Sequence, residues 1–262
     1  VRRSESLAPP GGFRLPVRAV LLDVDNTLLD NTTAMLAAGL AAMAALWPQF
    51  TAEQHVAMAE RYRLDPGGAF ERYMRGDNDY RVMRAERLRD VAAAYGVPVP
   101  DDALEIYESA FRPVFAQEQR TFEDVIPFAE RCAEAGLRVA VLTNSSDELT
   151  AEKFERTGLT GRLGSITTRD TLGFGKPDPR VFRHACAGLG VEPGDTAYIG
   201  DEWAADVEGS RAAGLQPIWI TRGGRAAAPE ADPVPVIASL DQLRVGERGL
   251  EVLDLGRAAP TG

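Results

Sequence analysis

The sequence predicts an α/β fold: a parallel sheet covered by helices and interrupted by a long, all-helical insertion. Three observations predict it. From 121 to 221, apolar runs of strand length alternate with helical patterns, as βαβ units require. A further run, "VRAVLLDVD" at 17–25, is apolar almost without break, as expected of a strand covered on both faces. The segment between, about 32 to 120, carries helical periodicity and no convincing strand.

The elements follow in order. Residues 1–16, basic and then Pro/Gly-rich, are expected as a flexible N-terminal tail, and they lack the apolar core of a secretory signal. The strand at 17–25 opens a sheet core expected over 17–31 and 121–245. Within the insertion at 32–120, "TTAMLAAGLAAMAALW", "TAEQHVAMAERYRL", "DYRVMRAERLRDVAAAYG" and "DDALEIYESAFRPVFAQ" read as four amphipathic helices rich in good helix formers. Alternation then resumes. "FEDVIPFAERCAEAG" is a helix and "LRVAVLTN" a strand; "SSDELTAEKFERTG" is a helix with a Ser/Asp start and a Gly stop. "SITTRD" is a short strand, "DPRVFRHACAGLG" a helix, "DTAYIGD" a strand, "EWAADVEGSRAAG" a helix and "LQPIWIT" a strand. Beyond it, "RGGRAAAPEADPVP" reads as loop and "VIASLDQL" as a short apolar segment, with 246–262 expected as a C-terminal tail.

Composition narrows the function. The 262 residues carry 29 basic and 39 acidic side chains, a formal net charge of -10, with no Lys/Arg-rich run. That argues against a nucleic-acid partner gripped through its phosphates but leaves room for a small anionic substrate at a locally positive site. No stretch reaches the roughly 18 apolar residues of a membrane span. Two cysteines, Cys132 and Cys186, are too few for a disulfide framework and read as small core hydrophobes. A soluble, cytoplasmic chain is expected, a monomer or homodimer with no membrane partner.

The chemistry gathers at strand ends. The first strand ends at Asp23 and Asp25, "LTN" ends a second at Thr143 and Asn144, and "IGD" ends a third at Asp201, with Asp206 five residues on. Lys176 lies in "GKPDP", just before a helix for which Asp178 suits the N-cap and Pro179 the first turn. In parallel sheets ligands bind beyond the carboxyl ends of the strands. Four aspartates collected there are tolerable around a divalent cation, and oxygen ligands favour Mg²⁺.

"DVDNT", "LTN", "GKPDP" and "GDEWAAD", in this order, resemble the haloacid dehalogenase superfamily, specifically its phosphatase branch with a helical cap inserted after the first motif. The resemblance covers about 17 to 222. It implies a Rossmann-like core, a cap at 32–120 that closes over the site, and a Mg²⁺-dependent phosphomonoester hydrolase. Asp23 would be the nucleophile, forming an aspartyl-phosphate, and Asp25 the general acid and then base. Mg²⁺ would lie between the Asp23 and Asp201 carboxylates and the Asp25 carbonyl, with Asp206 supporting. Thr143, Asn144 and Lys176 would bind the phosphoryl group. The family's dehalogenases lack an acid at the position of Asp25, which favours phosphate esters here. Ala205 departs from the pattern, since many relatives have Asn there; altered hydrogen bonding near the metal is expected, with binding retained.

Plainer readings stand beside these. Asp23 and Asp25 could be turn residues, Asn144 a helix cap and Asp206 a surface-pairing residue. His55 and His184 have no partner motif. Trp47, Tyr73 and Tyr80 are expected in the core of the helical segment, and the basic side of "YRVMRAERLRD" as a solvated face. The expected substrate is a small phosphorylated metabolite, nucleotide or FMN-like ahead of phosphoglycolate and sugar phosphates. The alternatives are a phosphomutase, a 2-haloacid dehalogenase and an inactive binding module.

Overall fold

The computed structural model of the chain describes residues 13–224 and 234–253. Two compact units divide them: one from the chain up to Leu29 and from Thr121 onward, the other Asp30–Arg120. Strands β1 (Arg14–Leu15) and β2 (Ala19–Leu22) open the first. The second is all helix: α1 (Asn31–Leu46), α2 (Ala52–Leu64), α3 (Ala69–Arg75), α4 (Tyr80–Tyr95) and α5 (Ala103–Glu118). The first unit resumes with α6 (Val125–Glu134), β3 (Arg138–Leu142), α7 (Asp147–Thr157), β4 (Ile166–Thr167), α8 (Arg169–Leu172) and α9 (Pro179–Leu189). It continues with β5 (Thr196–Gly200), a π-helical turn Trp203–Glu208 running into α10 (Gly209–Ala213), and β6 (Gln216–Ile220). β7 (Val236–Ile237), β8 (Leu243–Gly246) and β9 (Gly249–Val252) complete it.

Six of these strands form one parallel sheet, in the order β4-β3-β2-β5-β6-β7. Val20 and Leu22 of β2 join the apolar cluster on one face, with Phe128, Ile199 and Ile218. Ala19 and Leu21 join the cluster on the other, with Phe182 and Tyr198. Successive side chains point to opposite faces, so burying both demands the unbroken apolar run. Leu22 pairs with Val141 of β3 on one side and Ile199 of β5 on the other, so three strands run out together. The chain leaves β2 toward β3 and later returns to its opposite side at β5. This topological switch point is where open α/β sheets place ligands.

Three expectations need correction. Arg14–Leu15 and Gly249–Val252 are not tail but strands, joined as β1-β9-β8 in a small antiparallel sheet that buries Leu15 and Leu250. Such short strands carry too little alternation to stand out in a sequence. The remaining parts of the expected tails and the centre of the "RGGRAAAPEADPVP" loop lie outside the described residues. The helical unit has a fifth helix, α3, flanked by Gly68 and Gly76 with φ of 66° and 81°, values that favour glycine. Tyr80 is 41% exposed, its ring lying under the Arg84 guanidinium instead of in the core. Trp47 is buried and donates to the Pro98 carbonyl, and His55, also buried, bonds the Trp47 carbonyl. Cys132 and Cys186 are buried free thiols.

Candidate active site

β2 ends at Leu22, and the Asp23 N–H still donates to the Ile199 carbonyl at 2.9 Å. A tight turn follows, in which the Val24 carbonyl accepts from the N–H groups of Thr27, Leu28 and Leu29. Asn26 supplies the left-handed residue (φ 55°), a conformation that Asn tolerates better than most. The turn leaves Asp23 buried and brings Asp25 partly into solvent. Thr143 and Asp201 follow β3 and β5 directly, so the switch point carries Asp23, Thr143 and Asp201 together.

Lys176 reaches into this group from the loop before α9. Its Nζ lies 2.6 Å from Asp23 Oδ1, 2.7 Å from Asp206 Oδ1 and 2.9 Å from the Tyr198 hydroxyl. The ammonium is buried, which disfavours its charge, but the two carboxylates more than offset this and hold its pKa well above the ordinary lysine value. Asn144 fixes the loop. Its Oδ1 accepts from the Lys176 N–H at 2.7 Å and its Nδ2 donates to the Lys176 carbonyl at 3.0 Å. Gly175 makes room, since a Cβ there would overlap the Asn144 amide. Asn144 therefore places Lys176, while the cap of α7 is Ser146, which accepts from the Leu149 N–H.

The segment after Asp201 is not the plain α-helix its pattern suggests. Trp203–Glu208 makes a wider π turn, a feature often found at functional sites. This turn swings Asp206 back until its Oδ2 accepts from the Glu202 N–H at 2.9 Å. Asp206 is thus buried and triply bonded, to Glu202, Lys176 and Tyr198, and is no surface residue. Ala205 is buried on the same turn and offers no side-chain bond.

Carboxylate oxygens of Asp23, Asp201 and Asp206 lie within 4.8 Å of one another. Burial, with Asp206 adding to it against the opposing pull of Lys176, pushes the Asp23 carboxyl up to about 7. Burial and then the neighbouring Asp23 and Asp206 push Asp201 up to about 9. Three acids with one lysine are short of positive charge, and a hard divalent cation among the oxygens would supply it. The residues fit such an ion.

Lys153 is a further member of the site that no motif marks. It extends from α7, buried, and its Nζ meets both oxygens of Asp25, at 2.6 and 2.9 Å, and the Ser145 hydroxyl at 3.4 Å. Tyr198, by its pattern an ordinary strand residue, belongs here too: its hydroxyl meets Lys176, Asp206 and the Leu142 carbonyl. A signal for Lys153 exists: the chain contains only two lysines, and the other is Lys176.

With this geometry in hand, the haloacid dehalogenase-like hydrolase family model matches residues 17–214. The chain belongs to that family. It is 35% identical over 167 residues to the phosphoserine phosphatase of Thermus thermophilus, a match covering 64% of this chain and 61% of the relative. It therefore spans about three fifths of that relative's length. It is 29% identical over 230 residues to a phosphoglycolate phosphatase of Thiobacillus denitrificans, covering 87% and 94%. Among solved structures, a dehalogenase with an intermediate complex superposes with a TM-score of 0.66 at 23% identity, covering 87% of this chain and 96% of that one. That likeness concerns the fold.

Proposed function

We propose that this hydrolase cleaves a small phosphomonoester in a Mg²⁺-dependent reaction, through an aspartyl-phosphate on Asp23. The observation that carries the reading is Asp25, a partly exposed carboxyl two residues after the buried Asp23 and separate from the acid cluster. An alkoxide leaving group needs a proton, whereas a halide does not. In the first step an Asp23 oxygen attacks phosphorus, the P–O ester bond breaks with its electron pair on the alkoxide, and Asp25 delivers the proton. In the second, water attacks the phosphorus and gives a proton to Asp25, and phosphate leaves as the Asp23 carboxylate is restored.

Lys176 and Thr143 hold phosphoryl oxygens, and Asn144 contributes by fixing the Lys176 backbone. Asp23, Asp201 and the Asp25 carbonyl would hold Mg²⁺, with Asp206 behind them. When bound, that ion supplies Lewis-acid charge against the phosphoryl oxygens. The names of the two relatives support a small phosphorylated carboxylic acid as the leading substrate class, ahead of nucleotide, FMN-like and sugar phosphates. No helix among the described residues is long and apolar enough to cross a membrane, and a cytoplasmic setting suits such metabolites.

The test is a phosphate-release screen over metabolite phosphates with Mg²⁺, run beside a halide-release assay on 2-haloacids. Phosphate from one or a few esters is expected. Halide release with no ester cleaved would overturn the reading.

A further inference from the structure

Every basic residue in the sequence but two is arginine. The two lysines, Lys153 and Lys176, are both buried, and each meets one of the two motif aspartates. A chain that uses arginine everywhere else has reserved the compact ammonium for these sites. A compact ammonium can serve three acceptors from one buried point, whereas arginine's longer fork is shaped for a single carboxylate.

We propose that Lys153 is the positioning residue for Asp25. This rests on the proton-carrying role proposed above for that carboxyl. Asp25 sits on a turn past the end of β2, with a third of its side chain (32%) exposed. Three further carboxylates are gathered nearby around Lys176. An unheld carboxylate at Asp25 could rotate into solvent or into that cluster. Lys153 prevents both by capping its two oxygens from the protein side, at 2.6 and 2.9 Å, with Ser145 Oγ 3.4 Å from Oδ2. A carboxylate has about four lone-pair sites, so the side facing away from Lys153 stays open for a proton.

The support behind Lys153 is rigid. It sits in the second turn of α7, whose N-terminus is capped by Ser146, and its own carbonyl accepts from the Thr157 hydroxyl at 2.7 Å. A clamp mounted on a helix holds a side chain more accurately than one on a loop. The two lysines thus divide three of the four acids: Lys176 serves Asp23 and Asp206, and Lys153 keeps Asp25 apart.

The test combines kinetics with a readout that needs no turnover. Lys153→Met keeps the length of the side chain and removes its charge. With an alkyl phosphate it should lower kcat by about 100-fold, the loss expected from a misplaced catalytic group, and leave KM within a few-fold. Adding Lys153→Met to Asp25→Asn should cost nothing more, and Lys153→Arg should recover part of the loss. Protein labelled with ¹⁵N only in lysine gives two side-chain signals, assigned by Lys153→Met; Asp25→Asn should move the Lys153 signal and leave that of Lys176. Unchanged kcat in folded Lys153→Met, or losses that multiply in the double variant, would overturn the proposal while leaving the phosphatase reading intact. If the wild type cleaves no phosphate ester, that reading fails by itself and the spectra decide: an unmoved Lys153 signal overturns the pairing. Should Lys153→Met not fold, Lys153→Arg and Asp25→Asn carry both measurements.

Discussion

The Asp206 carboxylate fills the space that a side chain on Gly200 would occupy, because a Cβ there would overlap both Cγ and Oδ2 of Asp206. Glycine at the end of β5 is what lets Asp206 fold back to Lys176 and Tyr198. Gly200→Ala should force Asp206 off this position. Overpacking of this kind costs about 1–3 kcal/mol of stability. Since Asp206 supports the ligands, Mg²⁺ affinity should fall by roughly 10-fold or more, as for other groups just outside a metal's own ligands. Calorimetric titration with Mg²⁺ measures this, and unchanged affinity would show that Asp206 does not act on the ion.

The raised carboxyls give a pH dependence with a definite sign. Folded Asp23 and Asp201 titrate near 7 and 9, above their values in the unfolded chain. Metal-free protein therefore draws stability from their protonation below the ordinary carboxyl range, and loses it as pH rises through 7 and then 9. Binding Mg²⁺ requires the deprotonated form, so at pH 7 loading should release protons and tighten with rising pH. Melting curves from pH 5 to 9 should show a falling Tm without metal and a flatter one with saturating Mg²⁺. Parallel curves would rule out the site as the cause.

The sheet was legible because burial on both faces leaves an apolar run that nothing else in a soluble chain requires, as in "AVLL" at 19–22. Asp23, Asp25, Thr143 and Asp201 were legible as site candidates because strand ends in a parallel sheet converge, and Lys176 and Asp206 because "GKPDP" and "GDEWAAD" resemble the family's motifs. Lys153 was hidden for a physical reason: its partner lies 128 residues away, and locally it reads as one more polar position on an amphipathic helix. The π turn at Trp203–Glu208 was hidden because its register depends on where Asp206 finds partners, not on its own residues. Asn144 looked like a helix cap because Asn suits one, yet Ser146 has that place.

A structural ion pair outside the site should respond differently to pH. Arg222 and Asp124 are both nearly buried, and Asp124 Oδ2 also accepts from Ser239 Oγ at 2.6 Å and the Leu240 N–H at 2.7 Å. Burial alone would raise the Asp124 carboxyl, but Arg222 and these hydrogen bonds outweigh it and hold it below its ordinary value. Its contribution is present above the ordinary carboxyl range and is lost as pH falls through the lowered value. Asp124→Asn leaves Arg222 buried without its counter-charge, and should cost about 3 kcal/mol in urea unfolding at pH 7. Once pH has fallen below that lowered value, the variant and wild type should converge.

The helical unit, Asp30–Arg120, contains none of the four motifs, so it should set substrate preference without supplying the nucleophile. Replacing it with the corresponding segment of a related phosphatase should reorder the substrates in the phosphate-release screen. A folded chimera that keeps the original order would contradict this.

Asp23 and Asp25 are separated most sharply by the leaving group. Asp23→Asn removes the nucleophile, so no phosphoenzyme forms and every ester should fail alike. Asp25→Asn keeps the nucleophile but can neither protonate an alkoxide nor accept a proton from water. General acid–base catalysis of this kind is worth on the order of 100- to 10,000-fold, and an alkyl phosphate should lose that much. An aryl ester such as p-nitrophenyl phosphate leaves unaided, so its first step should be nearly spared. Only the second step then lacks its base, and rapid mixing should show a burst of phenolate followed by slow turnover. Mass spectrometry of the quenched Asp25→Asn protein should find the trapped phosphate on Asp23. An adduct on any other residue, or near-normal turnover by Asp23→Asn, would overturn the assignment of these two carboxylates.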